Sequence, residues 1–150
     1  MTDQSFSVTI TVDNTPEEAF AGVMNLRGWW LSEPIGEFAK VGDTFEFEVP
    51  DAHCTTHVLT ELVPNERVVW HVSEGWMGFV KDTTEWDGTD TVFEVTRVGE
   101  KTHVKFTHVG LVPSLECYES CSSNWHASIT GSLHDLITTG VGNPHPRAAL

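Results

Sequence analysis

From residue 41 to 110 the chain repeats one pattern: short runs in which apolar and polar residues alternate, joined by connections of a few residues. Alternation with period two is the mark of a strand with one buried face. Connections this short leave no room for crossover helices, so successive strands must run antiparallel. The run "DTFEFEV" places Phe45, Phe47 and Val49 on one side; "THVLTEL", "RVVWHV", "TTEW", "TVFEVTRV" and "THVKFTHV" follow, with turn signals at "PNE", "WDGTD" and "VGEK". With "SFSVTITV" near the N-terminus, where Phe6, Val8, Ile10 and Val12 alternate with Ser and Thr, the reading predicts about seven strands.

A sheet with one apolar face needs a cover. After Pro113 the period changes: Leu115, Tyr118, Trp125, Ile129, Leu133, Leu136 and Ile137 recur at helical spacing over 114–139. Ser114 is the expected cap, with Glu116 in the first turn, and Gly140 followed by "NPHP" is the expected stop. A shorter helix is expected to start at Thr15-Pro16 and to break at Gly28, leaving Trp29 and Trp30 in a turn or loop. The class is therefore α+β, a curved antiparallel sheet around a long C-terminal α-helix. One domain spans 1–150, with a core of about 5–140 and a tail at 141–150.

Bulk chemistry narrows the partners. Eight Lys and Arg against 22 Asp and Glu give a formal charge of −14. Such a chain repels phosphate backbones and anionic lipid surfaces, so neither nucleic acid nor a membrane is an expected partner. No apolar run approaches the length of a membrane span, and "MTDQSFSVTI" lacks a signal-peptide pattern, so a cytoplasmic protein is expected. Three scattered Cys make no disulfide framework.

Two strings imitate metal sites. Cys117-x3-Cys121-x4-His126 falls on the long helix, where His126 lies about 180° round from Cys117, so one ion cannot take all three. Both Cys are expected at the polar margin of the helix with Ser128, Ser132 and Asp135. His53 and His57 have helical zinc spacing but sit in a strand, where they share a face about 13 Å apart. No metal and no cofactor is expected: there is no phosphate loop, dinucleotide turn or nucleophile elbow. His108 shares the inward face of its strand with Val104 and Phe106, His103 faces away, and Glu85 faces out if Trp86 faces in.

The strings "SFSVTITVDNTPEEAF…WW", "GDTFEFEV", "ERVVWHV", "TTEWDGTDTVFEV", "KTHVKFTHVGLVP" and "ECYESCSSNWHASITGSLHDLITTGVGNP" together resemble the START-like SRPBCC superfamily, and within it the bacterial branch named after the activator of heat-shock-protein-90 ATPase homologue. The resemblance covers nearly the whole chain. It implies a helix-grip (START-like/Bet v 1-like) fold, a cavity between sheet and helix, and an apolar, aromatic or lipid-like small molecule as the common ligand theme. It also makes a homodimer and a stress-related role compatible with this branch. The expected ligand site is Trp70, Trp86, Phe93 and Trp125 between sheet and helix, with Tyr118 on the helix face and His108 as a polar anchor. Trp29, Trp30, Trp76 and Phe79 are the expected lip. Two alternatives stand beside this binding protein: a cavity enzyme of cyclase or hydratase type, and a co-chaperone-like interaction module.

Overall fold

The computed structural model describes residues 5–30, 35–36, 39–49, 53–78, 81 and 84–144. Among the described residues seven antiparallel strands form one sheet: β1 (Phe6–Val12), β2 (Ile35–Gly36), β3 (Thr44–Val49), β4 (His53–Val63), β5 (Arg67–Met77), β6 (Asp90–Val98) and β7 (Lys101–Val109). Their order is β1-β7-β6-β5-β4-β3-β2, so five of the six neighbouring pairs are consecutive in sequence and β1 returns to pair with β7. That is the meander the short connections demand. One strand of the sequence reading is corrected: "TTEW" is a turn over 84–88, and the seventh strand is the two-residue β2.

Between β1 and β2 lie α1 (Pro16–Met24) and α2 (Leu26–Trp29). Thr15 caps α1 in a reciprocal box: its hydroxyl accepts from the Glu18 N–H at 3.2 Å and the Glu18 carboxylate accepts from the Thr15 N–H at 3.0 Å. Helix continues past Gly28 through Trp29, which is wholly buried and donates its indole N–H to the Val23 carbonyl at 3.1 Å. The expected loop around Trp29 and Trp30 is thus a packed turn of helix.

The C-terminal helix begins at α3 (Tyr118–Ala127), passes through a π-helical segment (Ser128–Leu133) and ends as α4 (His134–Thr139), with Gly140 left-handed at φ 87°. Residues 113–117 are turns, so Ser114 is not its cap. A distant residue does that work: the Glu85 carboxylate accepts from the N–H groups of Glu116 at 2.8 Å and Cys117 at 3.0 Å. Glu85 therefore faces the helix start, against the expectation that it points to solvent.

The π-helical segment changes which side chains are inside. Cys117, Cys121, Trp125, Ile129, Leu133 and Ile137 are all buried, each four residues after the last. In an α-helix every step of four rotates by about 40°, and such a row would drift away from the sheet. The wider i→i+5 turn turns it back. Ser128 and Ser132 are buried as well, so the expected polar margin is an inner edge. Ser132 uses its burial: Oγ donates to the Trp29 carbonyl and accepts from the Asn143 N–H, both at 2.7 Å. One hydroxyl thus ties α2 and the chain after Gly140 to the π-helical segment.

Candidate functional site: an aromatic layer and a bulged strand

The inner face of the sheet carries Phe45 and Phe47 from β3, Thr55 and His57 from β4, Trp70 from β5, Phe93 from β6, and Phe106 and His108 from β7, all buried. Trp29, Trp30, Trp86 and Trp125 close over them, and the rings form one connected layer. Trp30 stacks on Phe47 at 4.4 Å and lies 5.1 Å from Trp125. Trp125 continues to Phe106 at 4.4 Å and stacks on Trp86 at 6.0 Å. Phe93 meets Trp29 edge-on at 5.7 Å and Trp70 at 5.5 Å. Such offset and edge contacts add to the area each ring removes from water.

The structure brings together seven of the ten side chains singled out from sequence: Trp29, Trp30, Trp70, Trp86, Phe93, His108 and Trp125. Two of these, Trp29 and Trp30, are corrected from lip to core, at 0 % and 5 % exposure. Tyr118 is partly buried at the edge of the same core. Trp76 is elsewhere, and Phe79 lies outside the described residues.

His108 is held by the protein at both nitrogens. Trp125 Nε1–H donates to Nδ1 at 3.0 Å. With Nδ1 accepting, Nε2 carries the proton of the neutral ring and donates to Thr89 Oγ1 at 2.9 Å. Thr89 Oγ1–H then donates to the Trp86 carbonyl at 2.6 Å. This relay pins Trp125 to the 84–89 turn. His57, which sequence reasoning set aside as a false zinc ligand, is the second buried imidazole. It stacks on Phe45 at 4.9 Å and its Nε2 lies 2.8 Å from Thr55 Oγ1.

One polar group stands out. Trp70 is wholly buried, and no acceptor among the described residues reaches its Nε1–H. Phe45 and Phe93 meet it edge-on at 6.1 and 5.5 Å, and an aromatic face is only a weak acceptor. Native folds rarely leave a buried N–H in that condition.

At the helix start, Cys117 and Cys121 are both buried and hydrogen-bonded to each other. The hydrogen bond from Cys117 to the Cys121 sulfur pushes the first thiol up, with burial adding to it, and draws the second down. The Trp86 indole, against both sulfurs, favours the thiolate of each. His126 is exposed, on another side of the helix. Among the described residues no three His, Cys, Asp or Glu converge as metal ligands.

Trp76 is placed by a bulge. Val72 pairs with His57, but Thr56 pairs with Glu74, so Ser73 is an extra residue in β5. A one-residue insertion flips every later side chain to the other face. Trp70 and Val72 point inward; without the bulge Glu74 and Trp76 would follow. With it they turn outward, Gly75 faces in, and Trp76 is 45 % exposed. The expected lip residue Trp76 is thus part of strand β5, on the face away from the helix.

Comparison with known proteins fits this architecture. Residues 13–138 match the family "Activator of Hsp90 ATPase homolog 1-like protein". The solution structure of the Aha1 dimer from Colwellia psychrerythraea superposes with TM-score 0.72 at 25 % identity, over 92 % of this chain and 98 % of that one. DynU16, a putative protein of the dynemicin biosynthetic locus, gives 0.67 at 15 % identity, over 94 % of this chain and 49 % of that one. CalU16 from Micromonospora echinospora gives 0.65 at 11 % identity, over 90 % and 76 %. No curated protein matches the chain. No described helix is long and apolar enough to cross a membrane. The match spans the whole of the first helix, the whole meander from β3 to β7 and nearly all of the C-terminal helix, and on that extent the chain belongs to the Activator of Hsp90 ATPase homolog 1-like family.

Proposed function

We propose that this protein binds an aromatic or otherwise apolar small molecule that carries a hydrogen-bond acceptor, held in the layer between the sheet and the C-terminal helix. The observation that carries the reading is the buried, acceptorless N–H of Trp70 in a layer whose other polar groups include a fully bonded His108. A ligand oxygen beside Trp70 removes a desolvation cost of about 1–3 kcal/mol. The relay at His108 favours binding over the cavity-enzyme alternative, because a general acid or base needs a nitrogen that can reach substrate. His108 acts here as a brace for Trp125 rather than as the ligand's anchor.

Native mass spectrometry of the protein purified without denaturation tests this. A one-to-one complex with an organic molecule is expected, and Trp70→Phe is expected to weaken it about tenfold, the equivalent of about 1.4 kcal/mol. The same variant keeps an aromatic ring, smaller than the indole, and removes the unmet donor, so the donor's relief partly offsets the cavity left and a stability loss of about 1–2 kcal/mol is expected. The bare polypeptide mass alone, or binding indifferent to Trp70→Phe, contradicts the reading.

A homodimer is the second reading, supported by the dimeric Colwellia structure, which this chain covers almost entirely. Light scattering is expected to give twice the 16.6 kDa chain mass; a monomer at high micromolar concentration counts against it.

A further inference from the structure

The bulge at Ser73 has a second product, on the face of the sheet away from the helix. Glu46 on β3 pairs with Thr56 on β4, and Thr56 with Glu74 on β5, so the three form a row across the outer face. In the next row Cys54 pairs with Trp76. Together with Asp87 these side chains line a groove of about 430 Å³, within the range of small-molecule sites, roughly 300–1,000 Å³. A Cβ on Gly78 would sit 2.3 Å from Trp76 Cη2, so the indole lies against the Gly78 backbone. The indole is 45 % exposed, and an aromatic ring presents a negative π-face. The charges beside it are of one sign: Glu46, Glu74 and Asp87, with no Lys or Arg among the described lining residues.

We propose that this groove is a second binding site, for an organic cation such as a quaternary ammonium group. The cation rests on the Trp76 face and the three carboxylates neutralise it. Cations over an indole face are attracted by the ring quadrupole, most strongly for Trp. The site is independent of the inner layer, because the bulge at Ser73 puts Trp70 and Trp76 on opposite faces of the sheet.

The test follows the Trp76 indole N–H resonance in the ¹⁵N-labelled protein during titration with choline and with its uncharged carbon isostere, 3,3-dimethyl-1-butanol. Choline is expected to shift the resonance saturably, at least tenfold more tightly than the isostere and more weakly as sodium chloride rises. Trp76→Ala, followed through the backbone amides of Thr56 and Gly75, is expected to abolish the shifts. The triple variant Glu46→Gln, Glu74→Gln, Asp87→Asn is expected to weaken binding at least fivefold. Glu46, Glu74 and Trp76 lie on the outer face and Asp87 is exposed on the 84–88 turn, and circular dichroism is expected to show both variants folded. Trp70→Phe is expected to leave choline binding unchanged, which separates this site from the inner one. No choline shift, equal shifts by both compounds, or full binding by the triple variant overturns the proposal.

Discussion

Trp125→Ala is expected to lower the unfolding free energy by at least about 4 kcal/mol. Removing a buried Trp costs roughly 3–5 kcal/mol through lost burial and the cavity left behind. Here the loss also breaks the hydrogen bond to His108, at 3.0 Å, and an unpaired buried acceptor adds about 1–3 kcal/mol. Against a total of about 5–15 kcal/mol for a domain, the variant sits near the edge of folding. Trp125→Phe keeps most of the ring contacts with Phe106, Trp86 and Trp30 and loses mainly the hydrogen bond, so about 1–3 kcal/mol is expected. Urea unfolding of both variants checks the pair. Equal losses would mean that ring volume contributes nothing beyond the hydrogen bond to His108, and an unchanged stability for Trp125→Phe would mean that the relay through His108 and Thr89 contributes nothing.

The second large effect is at Trp30. Its ring meets Trp29, Phe45, Phe47, His57 and Trp125, the nearest at 4.4 Å. Trp30→Ala is expected to cost about 3–5 kcal/mol in the same urea assay. A Trp at the lip of a pocket would cost within about 0.5 kcal/mol, as surface changes do. The two positions are the ones the sequence and the structure assign to it, so the experiment decides between them. Because Trp30 and Trp125 touch, the double variant is expected to depart from additivity by about 0.5–3 kcal/mol.

What could be read from the chain was what local periodicity encodes. Strand alternation from Phe6 to Val12 and from Lys101 to Val109 has the face predicted, with Thr102, Val104, Phe106 and His108 buried. The Thr15-Pro16 start and the Gly140 stop also hold, because a cap is a local hydrogen-bond problem. Features that depend on a distant partner were hidden. Glu85 caps a helix more than thirty residues downstream, and nothing beside it marks that role. The bulge at Ser73 is fixed by pairing with β4, so the sign of Trp76 could not come from β5 alone. The π-helical segment hid behind residue size: Cys117 and Cys121 continue the buried row of every fourth residue, but small polarizable side chains did not register as core. The inner layer was legible as an aromatic load. Its distinguishing group, the Trp70 N–H, was not, since an unmet donor exists only in three dimensions.

The central claim is that the inner layer holds a molecule whose acceptor meets Trp70. The most direct measurement is the Trp70 indole N–H resonance in the ¹⁵N-labelled protein as purified, then after denaturing extraction and refolding, then with the extract returned. The account predicts that extraction moves the resonance and that the extract restores it. A resonance unchanged through all three states would contradict it.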